Sequence, residues 1–163
     1  MEKFIFDNFE KFNWKVSRFL NRSQFGNYKT YIVVINIENI EEIPESKKFE
    51  IDTVIANSFR PTDTIFKAAG DLYIAAINTN SVVSVSIIEN RIKRRLENLM
   101  EDKLKVIIGW ALAPFESQDF LSLLKLAYNK ILENKRSKEN VKNSSEIFYN
   151  SFPYERISST IQN

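Results

Sequence analysis

Residues 30–38 read TYIVVINIE. The run is β-branched and almost continuously apolar, with no alternating polar positions to mark a wet face. Such a segment predicts a central strand buried on both faces. A strand of that kind cannot stand alone. The rest of the chain has to supply strands for its two edges and helices for its two faces.

The sequence pattern offers both. Phe6, Phe9, Phe12, Val16, Phe19 and Leu20 recur at spacings of three and four. That predicts an amphipathic helix over residues 6–21, with Trp14 off its apolar stripe and Gly26-Asn27 ending it. Pro44, Glu45 and Ser46 read as a loop. Ile51, Val54, Ile55 and Phe59 share one helical face, and Pro61 stops that helix. Residues 64–68 and 72–77 read as two short strands. The Gly70-Asp71 pair between them suits a tight hairpin turn. Asn80 or Ser81 is placed to cap a helix carrying Val85, Ile88, Ile92, Leu96 and Leu99 inward. Residues 105–112 form another buried strand. A last helix turns Phe120, Leu123, Leu124, Ala127 and Ile131 to the core. Beyond Lys135 the chain becomes polar, with a short strand near residues 147–149 and a loosely ordered tail over 151–163.

Without the leading helix, the first six elements run β-α-β-β-α-β, the ferredoxin-like order. The expected fold is therefore α+β, a ferredoxin-like or nucleotidyl-cyclase palm, with a mixed, mostly antiparallel sheet flanked by helices. Its middle hairpin lies beside the first strand, and the Gly-Asp turn sits near residues 36–38. Residues 1–29 form a helix packed on a domain spanning 30–150. In palm domains, carboxylates from these two places hold divalent metals for phosphoryl transfer.

Composition narrows the chemistry. The 163 residues include no His, no Cys and only three Gly. That excludes thiolate nucleophiles, Cys-ligated metals, imidazole general bases and Walker-type glycine loops. Lys and Arg number 23 against 21 Asp and Glu, a balance that does not call for nucleic acid. The longest apolar run, 106–113, is far too short to span a bilayer. Asp7, Glu10 and Lys11 break up any signal-peptide core. The expectation is a cytoplasmic protein with no nucleic-acid and no membrane partner.

Four segments, in order, carry a resemblance to a known family. They are YIVVINIENI, RPTDTIFKAAGDLYIAAI, VIIGWAL and LLKLAYNKILENKRSKEN. Together they resemble the GGDEF domains of diguanylate cyclases across roughly residues 30–140: the first strand, the Arg-x-x-Asp segment with the signature hairpin, the fourth strand, and the closing helix. The signature reads Ala69-Gly70-Asp71-Leu72-Tyr73. By the resemblance, Asn36 stands where the family has its first metal-binding Asp, and Leu72 replaces the essential Glu. Glu41 reverses a phosphate-contacting Lys. Pro44 replaces the Asn that reads guanine. Lys135 of the closing helix remains, while Glu139 replaces its basic companion.

The resemblance thus implies a degenerate, catalytically inactive regulatory domain with no catalytic residues, no metal and no cofactor. A metal reading of Asn36, Glu38 and Asp71 stands against a plainer one, which is the expectation: Asp71, a natural turn residue, serves the turn, and Glu38 is a solvated strand end. The family's inhibitory site for cyclic di-GMP uses an Arg-x-x-Asp and an Arg on the next helix. Arg60, Asp63 and Arg91 occupy those positions, which implies a cyclic di-GMP receptor. Two other readings stand beside it. One is a protein-interaction or self-association module using the aromatic N-terminal helix, in which Phe4, Phe6, Phe9, Phe12, Trp14 and Phe19 exceed the needs of one docking face. The other is a palm remodelled for a different nucleotide.

Overall fold

The computed structural model describes residues 6–80, 85–101 and 104–139. Its elements are α1 (Phe9–Phe25), β1 (Lys29–Glu38), a 3-10 turn (Ile40–Glu42), α2 (Glu45–Asn57), β2 (Thr64–Ala69), β3 (Leu72–Thr79), α3 (Val85–Met100), β4 (Lys105–Ala113) and α4 (Phe120–Glu139). The four strands form one sheet in the order β2-β3-β1-β4. Every ladder in it is antiparallel. This is the α+β arrangement expected.

β1 is buried from Thr30 to Ile37. Its side chains divide by parity, as a pleated strand requires. Ile32 and Val34 point to a cluster built with α1 and α4. Tyr31, Val33, Ile35 and Ile37 point to a cluster containing Ile51 and Ile55 of α2 and Ile92 and Leu96 of α3. The molecule is thus three layers, with the sheet in the middle.

The helix pattern held for the inward residues. Phe9, Phe12 and Val16 of α1 are buried, as are Phe120, Leu123, Leu124, Ala127 and Ile131 of α4. The starts of α1 and α2 differ from the reading above. Asn8 caps α1, its side chain accepting from the Lys11 N–H at 2.8 Å, so Phe6 precedes the helix. Its ring lies 5.4 Å from that of Tyr73. Glu45 and Ser46 are not loop but the first turn of α2. Pro44 is its N-cap, and the Pro44 carbonyl accepts from the N–H groups of Lys47 and Lys48 at 2.9 and 3.0 Å. A Pro at a helix entrance loses no hydrogen bond the helix needs. The proposed strand at 147–149, the tail over 151–163 and Ser81 lie outside the described residues.

The hairpin turn corrects one further expectation. Gly70 does not adopt the left-handed conformation that would demand glycine, and a Cβ there would meet nothing within 4 Å. The ladder instead absorbs an irregularity between Lys67 and Ala69. Gly109 is the glycine that packing requires. A Cβ on it would lie 2.0 Å from the Ala127 carbonyl oxygen of α4. The missing side chain lets α4 settle directly on β4.

The end of α1 is tied to the sheet by a polar knot. The hydroxyls of Ser23 and Thr30 hydrogen-bond each other, and both lie 3.0 Å from the Phe19 carbonyl, which accepts from the one whose proton is not given to its neighbour. Asn78 of β3 donates to Thr30 Oγ1 at 3.0 Å.

Gly109→Ala is expected to destabilise the fold by about 1–3 kcal/mol, the range for overpacking a tight interior contact. Urea denaturation measures it. An unchanged midpoint would show that α4 can shift away freely.

Candidate functional site

Two places in the fold could carry chemistry. The first is where the end of β1 meets the hairpin turn. Asn36 pairs across the sheet with Leu72 on one side and Ile107 on the other. The turn is fastened to β1 through one oxygen. The Asp71 carbonyl accepts from the Ile37 N–H at 2.9 Å and from the Asn36 side-chain amide at 3.3 Å. The expected proximity of the Gly-Asp turn to residues 36–38 is therefore observed.

The other side of Asn36 faces α4. Lys135 is only 2% exposed, and its ammonium donates to Asn36 Oδ1 at 2.9 Å. It also pairs with Glu38 at 3.1 Å, and Lys105 adds a second cation to Glu38 at 3.5 Å. Glu38 is thus an ion-paired carboxylate rather than a merely solvated strand end. Asn36 uses its amide on the turn and its carbonyl on the ammonium. Among the described residues, no group of three His, Cys, Asp or Glu side chains could hold a metal ion.

Beyond the turn lies a hollow of about 540 Å³, with Glu41, Glu45, Asp52 and Asp71 on its walls against Lys48 and Lys67. Leu72 and Tyr73, which follow Asp71, are buried on opposite faces of the sheet. The Tyr73 hydroxyl donates to Asp52, which also receives Lys67 at 2.8 Å. Burial pushes the Tyr73 phenol up, and the adjacent Asp52 carboxylate pushes it the same way.

The second place is the α2–β2 loop. Asp63 is folded inward, and its carboxylate accepts from the Arg60 backbone N–H at 2.8 Å. The Arg60 guanidinium, half-exposed, reaches the same carboxylate at 3.5 Å. Arg60 and Asp63 are therefore brought together. Arg91 reaches the same stretch of chain from α3, two residues short of Arg60. It donates to the Ser58 carbonyl at 3.3 Å, and Arg95 donates to the Asn57 carbonyl at 3.2 Å, so both hold the C-terminal end of α2. Cations at that helix end oppose its negative dipole.

A hollow of about 340 Å³ opens beside Arg60 and Asp63, and its other charged walls are Asp7, Lys11 and Lys15. The local pattern gave no sign of this. Asp7 and Thr64 are far apart in sequence, yet the Thr64 hydroxyl donates to Asp7 at 2.6 Å. Lys11 and Lys15 each approach Asp7 at 3.2 Å. Asp52 and Lys67 were missed for the same reason, since only the fold joins α2 to β2.

No family model matches the chain, and no curated protein sequence matches it. Solved structures do. The GGDEF domain of YfiN (TpbB) from Pseudomonas aeruginosa is 19% identical with a TM-score of 0.69, covering 83% of this chain and 93% of that one. The GGDEF domain of DgcB from Caulobacter crescentus, in complex with c-di-GMP, is 14% identical with a TM-score of 0.64, covering 86% and 95%. Diguanylate cyclase SiaD from Pseudomonas aeruginosa, in complex with its activator SiaC, is 11% identical with a TM-score of 0.67, covering 82% of this chain and 56% of that one. The fold is that of a GGDEF domain. On this fold, Ala69 and Leu72 close the β2–β3 hairpin around Gly70 and Asp71, and no described helix is long and apolar enough to cross a membrane.

The two loop carboxylates respond to acid in opposite senses. Burial opposes ionisation of Asp7, but hydrogen bonds from Thr64, Lys15 and Lys11 outweigh it and hold its carboxyl below 3.8. Its stabilisation is complete above that value and is lost as pH falls through the lowered one. Burial raises Asp63 above 3.8, against the pull of Arg60. Asp63 therefore costs stability once ionised and relieves the cost as pH falls through the raised value. Urea midpoints followed from about pH 6 to about pH 3 should show a flatter acid limb in Asp7→Asn and a steeper one in Asp63→Asn. The same slope in both variants would refute these assignments.

Proposed function

We propose that this chain is a regulatory GGDEF-fold module that works by binding rather than by cyclising nucleotides. The observation that supports this reading is the Lys135 ammonium, held 2.9 Å from Asn36 and 3.1 Å from Glu38. The place where the family resemblance implies metal-binding carboxylates is occupied by an amide already bridged to an internal cation. A divalent ion needs negative oxygens there, and a fixed ammonium repels it. Leu72, at the signature position of the essential Glu, is an alkyl group buried in the core. Phosphoryl transfer rests on positioning and charge neutralisation, and these substitutions remove the groups that would supply them.

Purified protein incubated with nucleoside triphosphates, the guanine one included, and Mg²⁺ or Mn²⁺ is expected to give no cyclic dinucleotide by chromatography. Product above a no-protein control would overturn the proposal.

Cyclic di-GMP binding is the second reading. It is favoured by the half-exposed Arg60 guanidinium at the rim of the 340 Å³ hollow. Guanidinium forks suit phosphate and the guanine edge. Arg91 would have to release the Ser58 carbonyl to take part. If this reading holds, calorimetry gives micromolar or tighter binding of cyclic di-GMP that Arg60→Ala abolishes. No heat at high micromolar ligand leaves protein binding as the regulatory mode.

A further inference from the structure

The outer face of α1 carries a feature that neither reading uses. Trp14, Arg18, Arg22 and Phe25 follow one another at spacings of four, four and three. That keeps them within about 80° of arc along about 16 Å of helix. Beyond the helix the stripe continues onto one end of the sheet. β1 begins there beside the end of β4, with Thr30 paired to Ala113. This places Lys29 next to Phe115.

Aromatic rings and cations interleave along the whole stripe. The Arg18 guanidinium lies 4.7 Å from the Trp14 ring centre, that of Arg22 lies 5.7 Å from Tyr28, and the Lys29 ammonium lies 5.4 Å from Phe115. Phe25 is 82% exposed, Phe115 71% and Trp14 58%. Rings so bare protrude from the surface rather than line a groove.

The charge is as lopsided as the hydrophobicity. From Phe9 to Lys29 there are five basic residues and one acid, Glu10, while the whole chain has 23 basic against 21 acidic residues. Lys11 and Lys15 are paired with Asp7, each at 3.2 Å, so the cations this face presents are Arg18, Arg22 and Lys29. Of the nearby carboxylates, Glu116 is engaged by Lys130 at 3.3 Å, and Asp119 accepts from the Ser122 N–H at the start of α4.

A second copy is a poor occupant, because apposing two such faces brings Arg18, Arg22 and Lys29 against their own kind. A rigid protein partner would need cavities to receive protruding phenyl rings. A fluid anionic surface meets both demands. It yields around the rings, and its headgroups pair with the cations.

We propose that α1 and the adjoining sheet end dock peripherally on an anionic lipid bilayer. Trp14, Phe25, Tyr28 and Phe115 enter the headgroup boundary, and Arg18, Arg22 and Lys29 contact lipid phosphates. The expectation of no membrane partner rested on the lack of a spanning segment. Peripheral docking does not need one.

Flotation of the full chain with vesicles tests this. Vesicles of phosphatidylcholine containing about one-third phosphatidylglycerol should carry the protein, and pure phosphatidylcholine should not. Each cation removed should weaken binding about fivefold, the scale of one Lys or Arg at an anionic surface. Arg18→Glu/Arg22→Glu should therefore abolish flotation, as should 0.5 M salt. Phe25→Ser/Phe115→Ser, at exposed positions that leave the core untouched, should weaken it at least fivefold with an unchanged denaturation midpoint. Three results would overturn the proposal: no flotation with anionic vesicles, equal flotation with neutral ones, or loss with the Arg variant but none with the Phe variant. The last, together with equally tight binding of polyglutamate, would assign the face to acidic proteins.

Discussion

β1 is hydrogen-bonded along both edges, to β3 and to β4, and is buried on both faces for eight consecutive residues, Thr30 to Ile37. Its backbone groups have no water to turn to, so each edge must be filled by another strand. Its side chains have no wet side, so each face must be covered by helices. Everything else in the molecule answers those two demands. The covering is unequal in kind. α2 and α3 meet the odd-numbered residues of β1, while α1 and α4 meet the even-numbered ones.

Parity then decides what the end of β1 can be. Asn36 and Glu38 fall on the face covered by α4, and α4 lies close because Gly109 has no side chain to hold it away. The approach carries Lys135 into the interior. A buried ammonium is tolerable only when paired and hydrogen-bonded. Asn36 supplies a neutral oxygen and Glu38 a charged one. The arrangement is closed: each polar group is answered by another of the same chain, and the turn carbonyl of Asp71 is drawn into it as well. An open metal site needs the reverse, oxygens left over for something from outside.

What the sequence made legible follows from periodicity. The core residues of α3 and α4, the two-faced burial of β1 and the position of the hairpin turn were all readable, because each depends on repeating spacing or on element order. Helix starts were less so. The entrance of α2 depends on Pro44 acting as a cap, and Pro44-Glu45-Ser46 is the same string whether it forms a loop or a first turn. The turn glycine was over-read, since Gly-Asp is a common turn pair whether or not the backbone needs it. Charge pairing was the least legible. Asp7 with Thr64, Asp52 with Lys67 and Arg91 with Ser58 are joined only by tertiary packing. No spacing rule connects them.

The knot of Ser23, Thr30, Asn78 and the Phe19 carbonyl has a mechanical meaning. It fixes the last turn of α1 to the first residues of β1 with buried polar bonds, at the point where a flexible connection would otherwise allow play. Phe12 and Val16 fix the middle of the same helix through the core. Shifting that end of α1 against the sheet would therefore break buried polar bonds as well as apolar contacts. The corner between the first helix and the central strand is bonded shut, so the two elements share one fixed geometry.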